Sequence, residues 1–215
     1  MNISKKEIYL IRHGETEFNK LGIVQGSGVD SDLNQMGRLQ SLAFFKYYQH
    51  IPFEKVYTSA LVRTHQTVTH FLEKGIEHQI LPGLNEISWG EKEGRIPNNE
   101  DNEYYAQLLE NWRNGRTHLA PEGGESPEEV VERQKKALEK ILINKNEKLI
   151  LIAMHGRAMR ILLSHISGLP LSKMDDFPHD NTCLYRLWYY YENNQFEIIS
   201  KNETHHFELI PELSE

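Results

Sequence analysis

Two short apolar runs, far apart in the chain, end in the same pair of residues. Ile8-Tyr9-Leu10-Ile11 leads into Arg12-His13-Gly14-Glu15-Thr16, and Leu149-Ile150-Leu151-Ile152-Ala153-Met154 leads into His155-Gly156. Short apolar runs of this kind read as buried strands, and near-continuous ones belong to parallel sheets covered on both faces. The second run is the most apolar in the chain and is expected at the centre of the sheet. Packing alone gives no reason for two buried strands to stop alike at His-Gly. If the strands are neighbours, His13 and His155 meet above the carboxyl edge of the sheet, where open α/β sheets bind ligands. Arg12 brings a planar fork of donors suited to phosphate. His13 can serve as nucleophile, acid or base, and Gly14 is expected to let a ligand approach the backbone.

The rest of the chain alternates between strand and helix patterns. Strand signals fall near residues 7–11, 55–58, 148–154, 183–190 and 196–200, and helix signals near 35–49, 60–74, 103–113, 127–143 and 157–167. This alternation implies an α/β fold of three layers, a mostly parallel sheet with helices on both faces. Ser126-Pro127-Glu128-Glu129 is a capping box with proline at the first helical position. The buried face that follows is Val130, Val131, Gln134, Ala137, Leu138, Ile141 and Leu142. Leu187-Trp188-Tyr189-Tyr190-Tyr191, Asn193-Asn194 and Phe196-Glu197-Ile198-Ile199 read as a late hairpin. One domain is expected over 1–204, with 205–215 as a loose tail that holds His205-His206.

Two further segments carry candidate chemistry. Val56-Tyr57 reads as a strand end, Ser59 as the N-cap of the next helix, and Arg63 then lies in its first turn, a position that suits an anion. An exposed helical arginine is the commoner fate of such a residue. Glu86 is flanked by Leu84, Ile87 and Trp89 in a probable-loop pattern without clean periodicity. A carboxyl in an apolar pocket has its neutral form favoured and can act as a general acid; the plainer reading is a solvated loop glutamate. Between this segment and the capped helix, 91–125 holds a short helix with Tyr105, Leu108, Leu109 and Trp112 on one face. It is expected to cover the pocket and choose substrates; Arg113 and Arg116 are candidate ligands there, with solvent exposure the commoner fate of each.

Charge narrows the partners. The 215 residues hold 24 lysines and arginines against 31 aspartates and glutamates, a net charge of −7. An acidic body binds nucleic acid and anionic membranes poorly, so a cationic pocket within it points to a small anionic ligand. Cys183 is the single cysteine, which rules out an internal disulfide. The first apolar run is too short for a signal peptide and no stretch approaches a membrane span, so a cytoplasmic setting is expected.

With these motifs in this order, the chain resembles the histidine phosphatases, the superfamily that includes cofactor-dependent phosphoglycerate mutase. The resemblance rests on Arg12-His13-Gly14-Glu15-Thr16, Phe18-Asn19, Gln25-Gly26, Leu33 with Gly37 and Gln40, and Ser59-Ala60-Leu61 with Arg63 and Thr67. It continues through Leu84-Asn85-Glu86 with Gly90 and Glu93-Gly94, then Gly123-Gly124-Glu125-Ser126 and His155-Gly156, and spans about Ile8 to Leu187. Ala60 and Asp32 stand where the family often has proline, and Arg157 where it commonly has a small residue.

The resemblance implies a phosphoglycerate mutase-like fold and a phosphohistidine on His13. Arg12, Arg63 and His155 would surround the transferring phosphoryl oxygens, and Thr16, Asn19, Gln25 and Gly26 would complete the cradle. Neighbouring arginines keep His13 neutral, and its second ring nitrogen is expected on a backbone carbonyl. Glu86 would protonate the leaving alkoxide and later deprotonate water. No cofactor and no metal are expected: zinc on His13 and His155 needs a third carboxylate or thiolate ligand, and two arginines would repel it. The compact 91–125 segment resembles the broad-specificity and α-ribazole-phosphate phosphatase branch. A cofactor-dependent phosphoglycerate mutase is the alternative, and a phospho-ligand module without catalysis is a third reading, opposed by the two histidines, two arginines and placed glutamate.

Overall fold

The computed structural model describes residues 4–210. Its six strands are β1 (Lys5–Arg12), β2 (Lys55–Thr58), β3 (His78–Ile80), β4 (Leu149–Met154), β5 (Leu184–Tyr190) and β6 (Gln195–Glu203), arranged β3-β2-β4-β1-β5-β6. β1 and β4 are parallel neighbours, with Ile8 opposite Ile150 and Arg12 opposite Met154. The two His-Gly ends therefore lie side by side. β2 and β3 continue the parallel part, while β5 runs antiparallel to β1 and forms the hairpin with β6.

Seven helices flank the sheet: α1 (Glu17–Lys20), α2 (Gln35–Tyr48), α3 (Val62–Thr67), α4 (Thr69–Glu73), α5 (Asn99–Arg113), α6 (Pro127–Ile143) and α7 (Gly156–Ile166). Alternate residues of a strand face opposite sides, and β1 divides accordingly. Ile8 and Leu10 join Ile150, Ile152 and Met154 against α6 and α7. Tyr9 and Ile11 join Leu151 and Ala153 against Phe44 of α2 and Phe71 of α4. Both faces are thus covered, as an apolar central strand requires. The capping box of α6 forms between Ser126 and Glu129. Gln134, the polar member of its buried face, donates to the Ala158 carbonyl at 2.7 Å.

Some local expectations are corrected. The single helix over 60–74 breaks at Val68 into α3 and α4. The hydroxyls of Thr64 and Thr67 bond back to the carbonyls of Leu61 and Arg63, and Ser41 takes the Thr67 carbonyl, so the ladder is diverted there. Ser59 is not the N-cap; Leu61 holds that place without a side-chain bond. β3 and α1 were not anticipated, being too short to show a period. α5 begins at Asn99 because Asn98 and Asp101 form a capping box. Its Leu108 and Trp112 pack with Ile87, Val130, Ile161 and Met174.

The tail reading fails for its first part. Residues 205–209 form a 3₁₀ turn in which His206 is fully buried, 5.2 Å between ring centroids from Phe44. A polar stretch packs here because Thr182 offers its hydroxyl to His206 Nε2 at 3.0 Å. Residues 211–215 lie outside the described residues. Among the described residues, no helix is long and apolar enough to cross a membrane.

Gly14 serves a different purpose from the one expected. A Cβ there would stand 2.7 Å from the Gly37 carbonyl oxygen, and a Cβ on Gly37 would stand 2.1 Å from that of Glu15. The two glycines let α2 press backbone to backbone on the segment that carries His13. Gly37→Ala is expected to lower stability by about 1–3 kcal/mol through overpacking, against a gain of about 1 kcal/mol in helix propensity. Urea unfolding reads the balance; a neutral or stabilised variant would show that this contact yields freely.

Candidate active site

The register of β1 and β4 sets His13 and His155 with ring centroids 5.1 Å apart, both buried. The His13 amide donates to the Met154 carbonyl at 2.9 Å, which ties the two strand ends together. His13 Nδ1 lies 2.7 Å from the carbonyl oxygen of Gly14. A carbonyl only accepts, so Nδ1 carries the proton and Nε2 keeps its lone pair. His155 holds the opposite tautomer. Arg63 Nε donates to its Nδ1 at 3.1 Å, and its Nε2 proton faces Ser59 Oγ at 2.8 Å.

Burial holds both imidazoles well below their usual pKa, and the charges of Arg63 and Arg12 push the same way. For His13 the Gly14 carbonyl opposes this and is outweighed. The expected cause, neighbouring arginines, is present but second to burial. Burial also raises the Cys183 thiol to about 12, so it is no nucleophile near neutrality.

A cavity of about 200 Å³ opens above this edge. Its lining includes the charged and polar residues Arg12, His13, Asn19, Gln25 and Glu86 and the apolar Ile23, Val24 and Trp89, with Gly156 among them. Arg157 and His179 complete the lining. Of the expected site residues, Arg12, His13, Asn19, Gln25 and Glu86 are therefore brought together around one space. Arg63, His155, Thr16 and Gly26 are not among the residues that line it.

Arg63 is fully buried and donates to the carbonyls of Val29 at 2.7 Å and Gly26 at 3.2 Å, besides holding His155. It braces the 26–29 loop rather than facing the cavity, and burial lowers its pKa only to about 10, so it stays charged near neutrality. Thr16 caps α1 and accepts from Gln25 Nε2 at 2.8 Å. Gly26 is a packing position, since a Cβ there would meet Glu93 Oε1 at 2.3 Å.

Arg12 Nη1 donates to the His179 carbonyl at 2.6 Å, while its Nε is buried without a partner. Gly156 makes room for this guanidinium: an added Cβ would stand 3.2 Å from Arg12 Nε and 2.8 Å from His179 Cδ2. Glu86 is not in the apolar pocket expected for it. Leu84 and Ile87 pack away into separate clusters. Its carboxylate instead accepts from the amides of Ile87 at 2.9 Å, Ala158 at 2.7 Å and Arg157 at 3.0 Å. Two of these donors are the first turn of α7, where a helix favours negative charge.

Sequence reasoning missed the Pro178–Cys183 loop. Asn181 Nδ2 donates to the His13 carbonyl at 3.1 Å, and the Cys183 carbonyl accepts from the Arg12 amide at 3.3 Å. Thr182 adopts φ +56°, a region β-branched residues rarely enter, and its bond to His206 holds it there. His179 from this loop is pushed down to about 3, first by burial and then by Arg12, Arg160 and Arg157, so a neutral imidazole faces the cavity. The composition of the loop is that of any turn, and nothing in it signals these contacts.

Arg157 forms an ion pair with Asp175 at 2.5 Å. Arg113 is half-exposed and also reaches Asp175, at 3.2 Å, while Arg116 is exposed and donates to Asn111. Among the described residues, none from 91–125 lines the cavity, and no three His, Cys, Asp or Glu side chains are grouped to hold a metal ion.

The model of the histidine phosphatase superfamily (branch 1) matches residues 8–204. The chain is 28% identical over 180 residues to an adenosylcobalamin/alpha-ribazole phosphatase of Salmonella typhimurium, covering 82% of this chain and 87% of that one. It is 33% identical over 168 residues to a probable phosphoglycerate mutase of Serratia proteamaculans, covering 76% of each. Among solved structures, the alpha-ribazole phosphatase of Shigella flexneri superposes with a TM-score of 0.79 at 24% identity, covering 92% of this chain and 96% of that one.

Proposed function

This chain belongs to the histidine phosphatase superfamily, and on that footing we propose that it hydrolyses small phosphorylated metabolites with His13 as nucleophile. The observation that carries the reading is the state of His13: its Nδ1 proton is pinned on Gly14 and its Nε2 lone pair is free in a cavity shared with Arg12. In the first step Nε2 attacks phosphorus in line. The N–P bond forms, the ester P–O bond breaks, and the Glu86 carboxyl gives its proton to the leaving alkoxide. In the second, water attacks phosphorus, its proton passes to the Glu86 carboxylate, and the P–N bond breaks to release phosphate.

The remaining groups act by charge and position. The Arg12 guanidinium, which lines the cavity, is the charged donor for the phosphoryl oxygens, whose developing charge it stabilises in the transition state. Asn19 and Gln25 border the same space. Arg63 and His155 act without lining the cavity: Arg63 helps to keep His13 neutral and fixes the His155 ring.

The mutase relative calls for comparison with phosphoryl transfer. A mutase must keep water from its phosphohistidine until the acceptor returns. The lack of any lining residue from 91–125 among the described residues supports hydrolysis instead. With 3-phosphoglycerate and a bisphosphoglycerate primer, free phosphate is expected to form faster than 2-phosphoglycerate, and simple monoesters are expected to release phosphate too. Isomerisation many times faster than any hydrolysis would establish the mutase. Binding of phosphate esters with neither reaction would establish a module without catalysis.

A further inference from the structure

Arg12 and Arg157 are the cations among the described lining residues, and the chemistry proposed above uses only Arg12. Arg157 is the second residue of α7. Its amide donates to Glu86 Oε2 at 3.0 Å. The acid must touch the leaving oxygen, and Arg157 lines the same cavity next to that acid, within reach of a group carried by the leaving alcohol. The Arg157 guanidinium carbon lies 6.0 Å from the Trp89 ring and 5.8 Å from the Trp112 ring, and this aromatic wall holds the side chain in place.

The charge around it is unbalanced. Asp175 engages Arg157 Nη1, but it also takes Arg160 at 3.1 Å and Arg113 at 3.2 Å. Arg113 is half-exposed and has Glu110 as a second partner at 3.5 Å, but Arg157 and Arg160 share the one Asp175 carboxylate, which cannot neutralise both. Arg157 and Arg160 are largely buried and Asp175 partly so, where uncompensated charge is costly. Among the described residues, no other hydrogen-bond partner engages Arg157 Nε or Nη2. Those two donors make a fork of the shape that binds a carboxylate or phosphate in bidentate fashion.

We propose that Arg157, backed by Asp175, is a subsite for a second anionic group on the leaving alcohol, so that the preferred substrates are phosphate esters of acidic alcohols. This rests on the monoester phosphatase reading. The test compares kcat/KM for 3-phosphoglycerate (a carboxylate leaving group), a sugar bisphosphate (a second phosphate) and glycerol 2-phosphate (a neutral one). The proteins are wild type, Arg157→Gln and Arg157→Lys. The acidic-to-neutral ratio is expected to exceed one in wild type and to fall roughly 10- to 100-fold in Arg157→Gln, mainly through KM, as loss of a charged hydrogen bond implies. Lysine restores the charge without the fork and should recover part of the loss. Whichever acidic ester loses more identifies the anion.

An unchanged ratio, with all esters losing alike, would overturn the proposal and assign Arg157 to the transferring phosphoryl group or to the α7 terminus. Calorimetric binding of 3-phosphoglycerate and glycerol 2-phosphate to His13→Ala protein, with and without Arg157→Gln, reads the same ratio without turnover. If wild type hydrolyses none of the esters, the phosphatase reading fails, and the binding ratio alone then supports or overturns the subsite.

Discussion

Alanine in place of His13 is expected to abolish turnover, with kcat/KM falling by roughly 10⁴-fold or more, the scale on which a lost nucleophile is felt. Labelling by a ³²P-phosphorylated substrate should vanish with it, because in the proposed mechanism the acid-labile bond is to His13 Nε2. A label that survives the substitution would move the nucleophile elsewhere. The same assignment fixes a pH dependence. Protonation of Nε2 removes the attacking lone pair, so activity is lost on the acid side. Burial and the two arginines hold the His13 pKa well below 6.5. The acid limb of the wild-type kcat/KM profile is therefore expected below the usual imidazole range, and a fall centred near pH 6.5 would contradict the buried, neutral ring.

What was legible in the sequence is what depends on neighbours along the chain. β1 and β4 were readable because their apolar runs are self-evident, and their shared His-Gly ends foretold that the rings meet. The α6 capping box lies within four residues and formed as read. What failed depends on distant partners. Ser59 looked like an N-cap, but its hydroxyl is taken by His155, which lies 96 residues away. Arg63 was legible as a cation, yet which atoms it would bond was not, because Gly26 and Val29 reach it from another loop. His206 sits in a polar stretch that reads as tail, and only Thr182 and Phe44 explain its burial. The Glu86 case is subtler. The residue was found, but only part of the reason holds: Leu84 and Ile87 pack into separate clusters, Trp89 shares its cavity, and amides of Ile87 and α7 hold its carboxylate.

That change of surroundings sharpens the test of Glu86 as the acid. Its carboxylate holds the first turn of α7 through the Ala158 and Arg157 amides, and the proposed mechanism gives it a second, separable task, to exchange a proton with the leaving group. Glu86→Gln keeps the size and removes the proton. It also sets an amide N–H₂ where one carboxylate oxygen accepts, so some loss from a shifted α7 is built into the variant. A leaving group that needs no proton separates the two. p-Nitrophenolate departs unaided, whereas an alkoxide does not. Loss of the acid is expected to slow alkyl phosphates by roughly 10²–10⁴-fold, the usual worth of general acid catalysis. With p-nitrophenyl phosphate only the loss from the altered α7 terminus should remain. Equal losses on both substrates would mean that Glu86 serves as the anchor of α7 alone and that the proton comes from another group.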